Sequence, residues 1–197
     1  MLNYSVASER NKEPILAVLE KLLHPGDRLL EIGSGSGQHA MHFCHALPEI
    51  QWHPTELDMN LAALESNLLQ AAIPNIQSPK ALDVSWPEWP GDIVSAVYTA
   101  NTLHIMSWRL VELFFKGVGR CLRSGGLLIT YGPFRYAGEF TSDSNAEFDF
   151  WLKQRDPDSG IRDIEAIKLI AAEEGLELEN DFSMPANNQL LVWRRIS

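Results

Sequence analysis

Short apolar runs alternate with helical patterns along most of this chain, and that alternation constrains the fold more tightly than any other feature. Apolar residues at helical spacing predict a first helix over Glu13–Leu23, with Pro14 in its first turn. Strands are expected at Arg28–Ile32, Ile50–Leu57, Lys80–Val84, Asp92–Thr99 and Leu127–Tyr131. Helices are expected between them at His39–Ala46, Met59–Gln70 (capped by Asp58) and Ser107–Leu122, with a Gly125-Gly126 turn after the last. Strands that alternate with helices call for a parallel sheet with right-handed crossovers, whose ligands lie at the carboxyl ends of the strands. A long polar stretch from Phe134 to Asp163 reads as a lid-like or substrate-facing insertion. After it a helix over Ile164–Glu174 leads to Leu176–Leu178 and Gln189–Arg194, the two arms of an antiparallel hairpin. The expected organisation is one domain over 1–197, with an N-terminal helix in 1–24 and the insertion at about 134–163.

Composition limits the partners. The 197 residues are 45% hydrophobic, enough for one core. No apolar run approaches the roughly 20 residues of a membrane span, and the N-terminus lacks the pattern of a signal peptide, so a cytoplasmic protein off the membrane is expected. Cys44 and Cys121 lie in apolar segments and read as reduced, packed thiols. A formal charge of -10, with no basic stripe, argues against nucleic acid as a partner. Nothing in the pattern sets an oligomeric state.

The first strand runs into "LLEIGSGSGQHAMHF", residues 29 to 43. A dinucleotide fingerprint needs G-x-G-x-x-G, but the glycines here are Gly33, Gly35 and Gly37, and Gln38 stands where the third should be. No Gly-Lys-Ser or Gly-Lys-Thr follows, so a Walker phosphate loop is also absent. Glu31 just before the turn would repel phosphates and suit a ligand with positive charge. S-adenosylmethionine is such a ligand, an adenosine and an amino acid joined at a sulfonium.

"LLEIGSGSGQHA" resembles the first motif of class I methyltransferases, an acid and an apolar residue before G-x-G-x-G. The resemblance implies a Rossmann-like α/β fold, a mostly parallel seven-stranded sheet with an antiparallel C-terminal hairpin and helices on both faces. It also implies S-adenosylmethionine as cofactor, S-adenosylhomocysteine as product, and a cofactor set of Glu31, Gly33, Ser34, Gly35, Gly37 and His39 around the turn. In "TELDMN" the ribose acid would be Glu56, followed by Leu57; in "ALDVSW" Asp83 and the main chain of Val84 would read the adenine. Asn101 of "YTANTLHIMSW" would close the cofactor set at the end of a strand, and Arg10 and Asn11 of "SERNKEPI" would fold over the cofactor, Arg10 on its carboxylate.

The whole chain is similar to a small family in that superfamily, known in bacteria as a domain of unknown function and in animals as methyltransferase-like protein 26. "ASERNKEPIL", "GSGSGQHAMHF", "WHPTELD", "LLITYGPF", "SNAEFDFWL" and "MPANNQLLVWR" carry the similarity. It leaves the acceptor, an unidentified small molecule or a protein, unnamed. His104 is the candidate general base, because imidazole takes a proton near neutral pH. Tyr131 and Asp149 join it as candidates facing the acceptor, with carboxylates of the insertion favouring an amine-bearing one. His39, His42 and His45 lack a further converging ligand, so no metal is expected. The alternatives are a protein that binds the cofactor without transferring methyl groups and a nucleotide-dependent oxidoreductase; Gln38 and Glu31 disfavour the second.

Overall fold

The computed structural model describes residues 1–196. The described residues divide into two compact units, one ending at Thr99 and the other beginning at Ala100.

The first unit holds α1 (Val6–Leu22), β1 (Arg28–Ile32), α2 (Gln38–Ala46), β2 (Gln51–Glu56), α3 (Asp58–Ala71), β3 (Lys80–Ala81) and nearly all of β4 (Val94–Ala100). α1 starts well before the predicted Glu13 and carries Pro14 in its interior. Ser5 supplies the missing start signal, since its Oγ accepts a hydrogen bond from the Ser8 amide at 3.2 Å. The buried stripe of Asn11, Ile15, Leu16 and Leu19 outweighs the proline's local penalty, which is about 3 kcal/mol in a helix interior. α3 also starts differently: Leu57 is its N-cap, no side chain caps it, and the expected cap Asp58 is its first residue. There the carboxylate still favours the positive end of the helix. β3 stops at Ala81, so Asp83 lies in the turn beyond it.

β1 pairs in parallel with β2 and with β4, setting Glu31 opposite Pro54 and Tyr98. Phe43, fully buried, centres the aromatic core of this unit, 5.6 Å from Trp52 and 5.8 Å from Tyr98.

The second unit holds α4 (Trp108–Cys121), β5 (Leu122–Gly132), β6 (Phe134–Tyr136), β7 (Glu139–Phe140), α5 (Asp143–Arg155), β8 (Arg162–Asp163), α6 (Ile164–Glu173), β9 (Leu176–Met184) and β10 (Asn188–Arg195). The glycines expected to form a turn lie inside β5: Gly125 takes φ +73 and its carbonyl accepts from the Arg194 guanidinium at 2.9 Å, so the strand continues through it. The polar stretch over 134–163 is not irregular. It contains α5, capped by Ser142, and supplies a small three-stranded sheet in the order β7-β6-β8, with Asp149 and Asp163 bracing these elements through the Ile161 and Gly138 amides. β9 and β10 form the expected antiparallel hairpin, longer than predicted, around a short Pro185–Asn187 turn. Phe115 and Trp193, both fully buried, meet at 5.9 Å in this unit's core.

The main sheet has seven strands in the order β3-β2-β1-β4-β5-β10-β9, mostly parallel with an antiparallel C-terminal pair, and helices surround it. No helix among the described residues is long and apolar enough to cross a membrane.

Candidate functional site

The glycine turn joins β1 to α2. Gly33, Gly35 and Gly37 all take positive φ, at +73, +58 and +80, which explains their spacing at alternate positions. Gly37 is also sterically fixed: a Cβ there would lie 2.9 Å from Leu68 Cδ2 and 3.0 Å from Leu64 Cδ1. Gly37→Ala is therefore expected to cost about 2 kcal/mol through left-handed strain and overpacking, visible as a lower urea midpoint with unchanged slope. Gly35 differs, with nothing within 4 Å of where a Cβ would stand, so its backbone is open on that side.

Two carboxyl groups brace this turn. Glu56, at the carboxyl end of β2 and buried, accepts the Gly35 amide on Oε2 and the Leu57 amide on Oε1, each at 2.8 Å. Asn60 Nδ2 reaches the same Oε1 at 3.5 Å. Glu31 is 2% exposed, and its Oε2 accepts from Ser34 Oγ at 2.8 Å and from Trp52 Nε1 at 2.9 Å. Burial raises its pKa to about 7, outweighing those two donors. The structure thus gives Glu31 the task of holding Ser34 from beneath, where the sequence suggested a carboxylate selecting for positive charge.

Side-chain amides tie the N-terminal segment to the turn. Gln38 Oε1 accepts the Ser5 amide at 2.6 Å and Ser36 Oγ at 2.8 Å, while its Nε2 donates to the Ser5 carbonyl at 3.2 Å. Asn67 repeats the pattern with the amide and carbonyl of Leu2, at 2.8 and 2.9 Å, and donates to the Ser36 carbonyl at 3.0 Å. Each amide therefore binds N-terminal backbone as a neighbouring strand would, with Ser36 between them.

His39 is buried and has both nitrogens engaged: Nε2 is 2.7 Å from Asn11 Oδ1 and Nδ1 is 3.0 Å from the Tyr98 hydroxyl. With an acceptor at Nε2, the ring is a neutral Nε2–H tautomer that accepts from Tyr98. Desolvation lowers its pKa to about 4. Asn11 and His39, both expected at the cofactor, are joined here to one another, whereas Arg10 is exposed on α1. Asp83 accepts the Ser85 amide at 2.8 Å as a turn residue, beside the buried Val84.

In the second unit, Asn101 is held at φ +59, in the left-handed region, while its amide donates to the Tyr131 carbonyl at 2.8 Å. A left-handed non-glycine residue just after a strand end is the kind of backbone outlier that gathers at functional sites. His104 is 6% exposed and desolvation lowers its pKa to about 4, so its imidazole is neutral at physiological pH. Its ring meets Phe148 at 5.3 Å, and its Nδ1 faces Gly132 at the end of β5. The 134–163 segment fixes its backbone: Gly160 donates to the His104 carbonyl at 2.8 Å, and Arg162 donates to the Leu103 and Met106 carbonyls on either side. Asp149 anchors that clasp, accepting the Ile161 amide at 2.7 Å and pairing with Lys153 at 2.6 Å. Its two oxygens are thus occupied by structure. Tyr131 is 4% exposed within β5.

Sequence reading missed Gln38 as a clasp, Asn67, Tyr98 and Arg162. A signal existed for Asn67, a polar residue on the same helical face as Leu64 and Leu68. No group of three or more His, Cys, Asp or Glu among the described residues is arranged to hold a metal ion.

Comparison with known proteins gives two findings. A family model described as "Protein of unknown function (DUF938)" matches residues 2–195. Among solved structures, the chain is similar to an O-methyltransferase family protein from Burkholderia thailandensis (15% identity, TM-score 0.81), over 97% of this chain and 58% of that one. It is similar to the apo form of SibL, an S-adenosylmethionine-dependent methyltransferase (17%, TM-score 0.80), over 97% of this chain and 56% of that one. It is also similar to PigF with SAH (17%, TM-score 0.80), over 94% and 56%. The chain spans little more than half the length of these structures, and at such identities the likeness establishes the fold alone.

Proposed function

The chain belongs to the DUF938 family, and from the site that family's sequence builds here we propose that it is an S-adenosylmethionine-dependent methyltransferase acting on a small-molecule acceptor. The observation that carries this reading is Glu56: a buried carboxylate at the end of β2, bonded to an open glycine turn that has neither a phosphate-loop lysine nor the third glycine of a dinucleotide site. Glu56 retains acceptor lone pairs for the ribose hydroxyls. Gly33, Ser34, Gly35 and Gly37 would line the amino-acid part and ribose, with Leu57, Asp83 and Val84 completing the set. His39, Asn11 and Glu31 support it from behind through the contacts described above, and Arg10 is free on the surface to reach the cofactor's carboxylate. The kinship with the methyltransferase-like protein 26 family belongs to the same proposal.

The cofactor would supply an electrophilic methyl group on a sulfonium. The protein's own work is to align the acceptor, exclude water and take a proton from it. His104, neutral and with its backbone clamped by Gly160 and Arg162, is the group assigned to the proton. Tyr131 would wall the acceptor, and Asp149 would act on His104 only through the Gly160–Ile161 corner. Cys44 and Cys121 are free thiols; burial pushes Cys121 up to about 12 and Cys44 higher still, which suits a reducing cytoplasm. The acidic charge keeps nucleic acid out of the proposed partners.

The test is incubation with S-adenosylmethionine labelled on the methyl group and the small-molecule fraction of a cell extract. Label is expected in small molecules, and His104→Gln is expected to slow its transfer about 100-fold while leaving S-adenosylhomocysteine affinity unchanged. Cofactor binding with no labelled product in small molecules or protein would favour the reading in which the chain binds the cofactor without transferring its methyl group.

A further inference from the structure

The acidic residues of 134–163 suggested an amine-bearing acceptor, but in the structure three of the seven, Asp149, Asp156 and Asp163, are held by neighbouring groups. Asp149 holds Lys153 and the Ile161 amide. Asp163 accepts the Gly138 amide at 2.8 Å and the Glu165 amide at 3.2 Å, and Glu165 accepts the Ala137 amide at 3.0 Å. Asp156 accepts the Asp158 amide at 3.0 Å. Glu139, Asp143, Glu147 and Asp158 are exposed to water, and the shielded group that this region leaves unmatched is positive.

Arg135 on β6 is half-buried, and its Nε is shielded from solvent with no hydrogen-bond partner. Its guanidinium lies 5.4 Å from the Phe140 ring centroid, and among the described residues no carboxylate approaches it within ion-pair distance, although Asp163 is its register partner on β8. A buried donor left without an acceptor is destabilising, more so for a charged group, so its presence calls for an explanation. Arg162, also half-buried, donates only to the carbonyls of Leu103, Met106 and Asp158. The two guanidiniums are close enough to disfavour one another: burial first, and then Arg135, lower the pKa of Arg162, against a contrary pull from Asp149, Asp156 and Asp158. Two neighbouring cations without a bonded carboxylate, in a chain of net charge -10, make a poor structural pair and a good anion receptor.

We propose that Arg135, assisted by Arg162, binds an oxyanion, a carboxylate or phosphate carried by the acceptor. This rests on reading the second unit as the acceptor-binding half of a methyltransferase. Arg162 holds the carbonyls flanking His104, so an anion on this pair would also steady the loop that presents the candidate base. The Phe140 ring beside Arg135 gives the cation a face to rest on without supplying a hydrogen-bond acceptor.

The test follows the Arg135 Nε–Hε resonance by NMR while benzoate, inorganic phosphate and chloride are titrated separately at matched ionic strength. S-adenosylhomocysteine is titrated in parallel. A saturable shift with benzoate, phosphate or both is expected, and it identifies which oxyanion the site prefers. Arg135→Gln is expected to weaken that binding about tenfold, read from other resonances of β6 and β8, with Arg135→Lys in between. Neither change touches the cofactor turn, so S-adenosylhomocysteine affinity should not move. No saturable shift, or an equal response to chloride, overturns the oxyanion site while leaving the methyltransferase reading intact. Oxyanion binding without any S-adenosylhomocysteine binding leaves the site standing and removes its assignment to a methyl acceptor.

Discussion

Glu56→Ala is expected to weaken S-adenosylhomocysteine binding by about 100- to 1,000-fold, the loss of two charge-assisted hydrogen bonds at roughly 1.5–3 kcal/mol each, moderated by replacement water. The substitution acts twice. It removes the acceptor assigned to the ribose, and it releases the Gly35 and Leu57 amides that hold the turn against the start of α3. Glu56→Gln separates the two effects: its remaining carbonyl oxygen can hold one amide but cannot take two hydroxyls with a full negative charge. Calorimetric titration should therefore rank wild type, Gln and Ala in descending affinity. Urea denaturation should show the Gln variant nearer to wild type in stability than in binding. Equal affinity across the three proteins would place the cofactor elsewhere.

The second large effect is on acid stability. His39 and His104 are buried and neutral, each with a pKa lowered from 6.5 to about 4. A depressed histidine pKa contributes stability that is full above the unfolded value of 6.5 and lost as pH falls through 4. Glu31 has the opposite sign: its pKa is raised from 4.5 to about 7, so its contribution is full below 4.5 and is lost as pH rises through 7. Each shift is worth about 3 kcal/mol, so these three groups together contribute a net loss of about 3 kcal/mol between pH 7.5 and 4, and His53, whose pKa burial also lowers, adds to it in the same direction. In His39→Gln the remaining pair should nearly cancel over that window, although the variant is less stable at pH 7.5 for want of the Asn11 and Tyr98 partners. Denaturant midpoints measured at both pH values check this. A pH slope as steep in His39→Gln as in wild type would show that His39 is not the titrating group.

Much of the architecture was legible in the sequence because the alternation of apolar runs and helical patterns is a local signal with only a few topological solutions. β1 was predicted with the observed bounds because it is a continuous buried run enclosed by Pro25-Gly26 and the glycine turn. The sequence pattern starts α1 at Glu13 because Pro14 suits a first turn, while the real start rests on Ser5, whose importance appears only when Gln38 grips its backbone. The Gly125-Gly126 pair misled for a related reason: two glycines favour a turn locally, but pairing with β10 carries the strand on from Leu127. The insertion was marked as unusual by length alone. Its acids gave no hint that Asp149 and Asp163 accept the amides of Ile161 and Gly138, because side-chain capping over such distances is settled by the fold.

At the candidate site, motif spacing located the glycine turn and Glu56, whose roles depend on neighbours close in sequence or on the adjacent strand. It did not show that His39 is turned away from solvent onto Asn11 and Tyr98, or that Arg135 lacks a counter-ion. Those facts depend on elements 28 and 59 residues apart, or on which acids are already occupied, and no local pattern encodes them.

The most direct measurement is isothermal titration of the purified protein with S-adenosylmethionine, S-adenosylhomocysteine and NADH. The account predicts micromolar binding of the first two and none of the third, because Glu56 and the open Gly35 suit a ribose next to a linkage without phosphate and the turn has no provision for a pyrophosphate. Binding of NADH with neither of the others would contradict it and make the glycine turn a nucleotide-phosphate site after all.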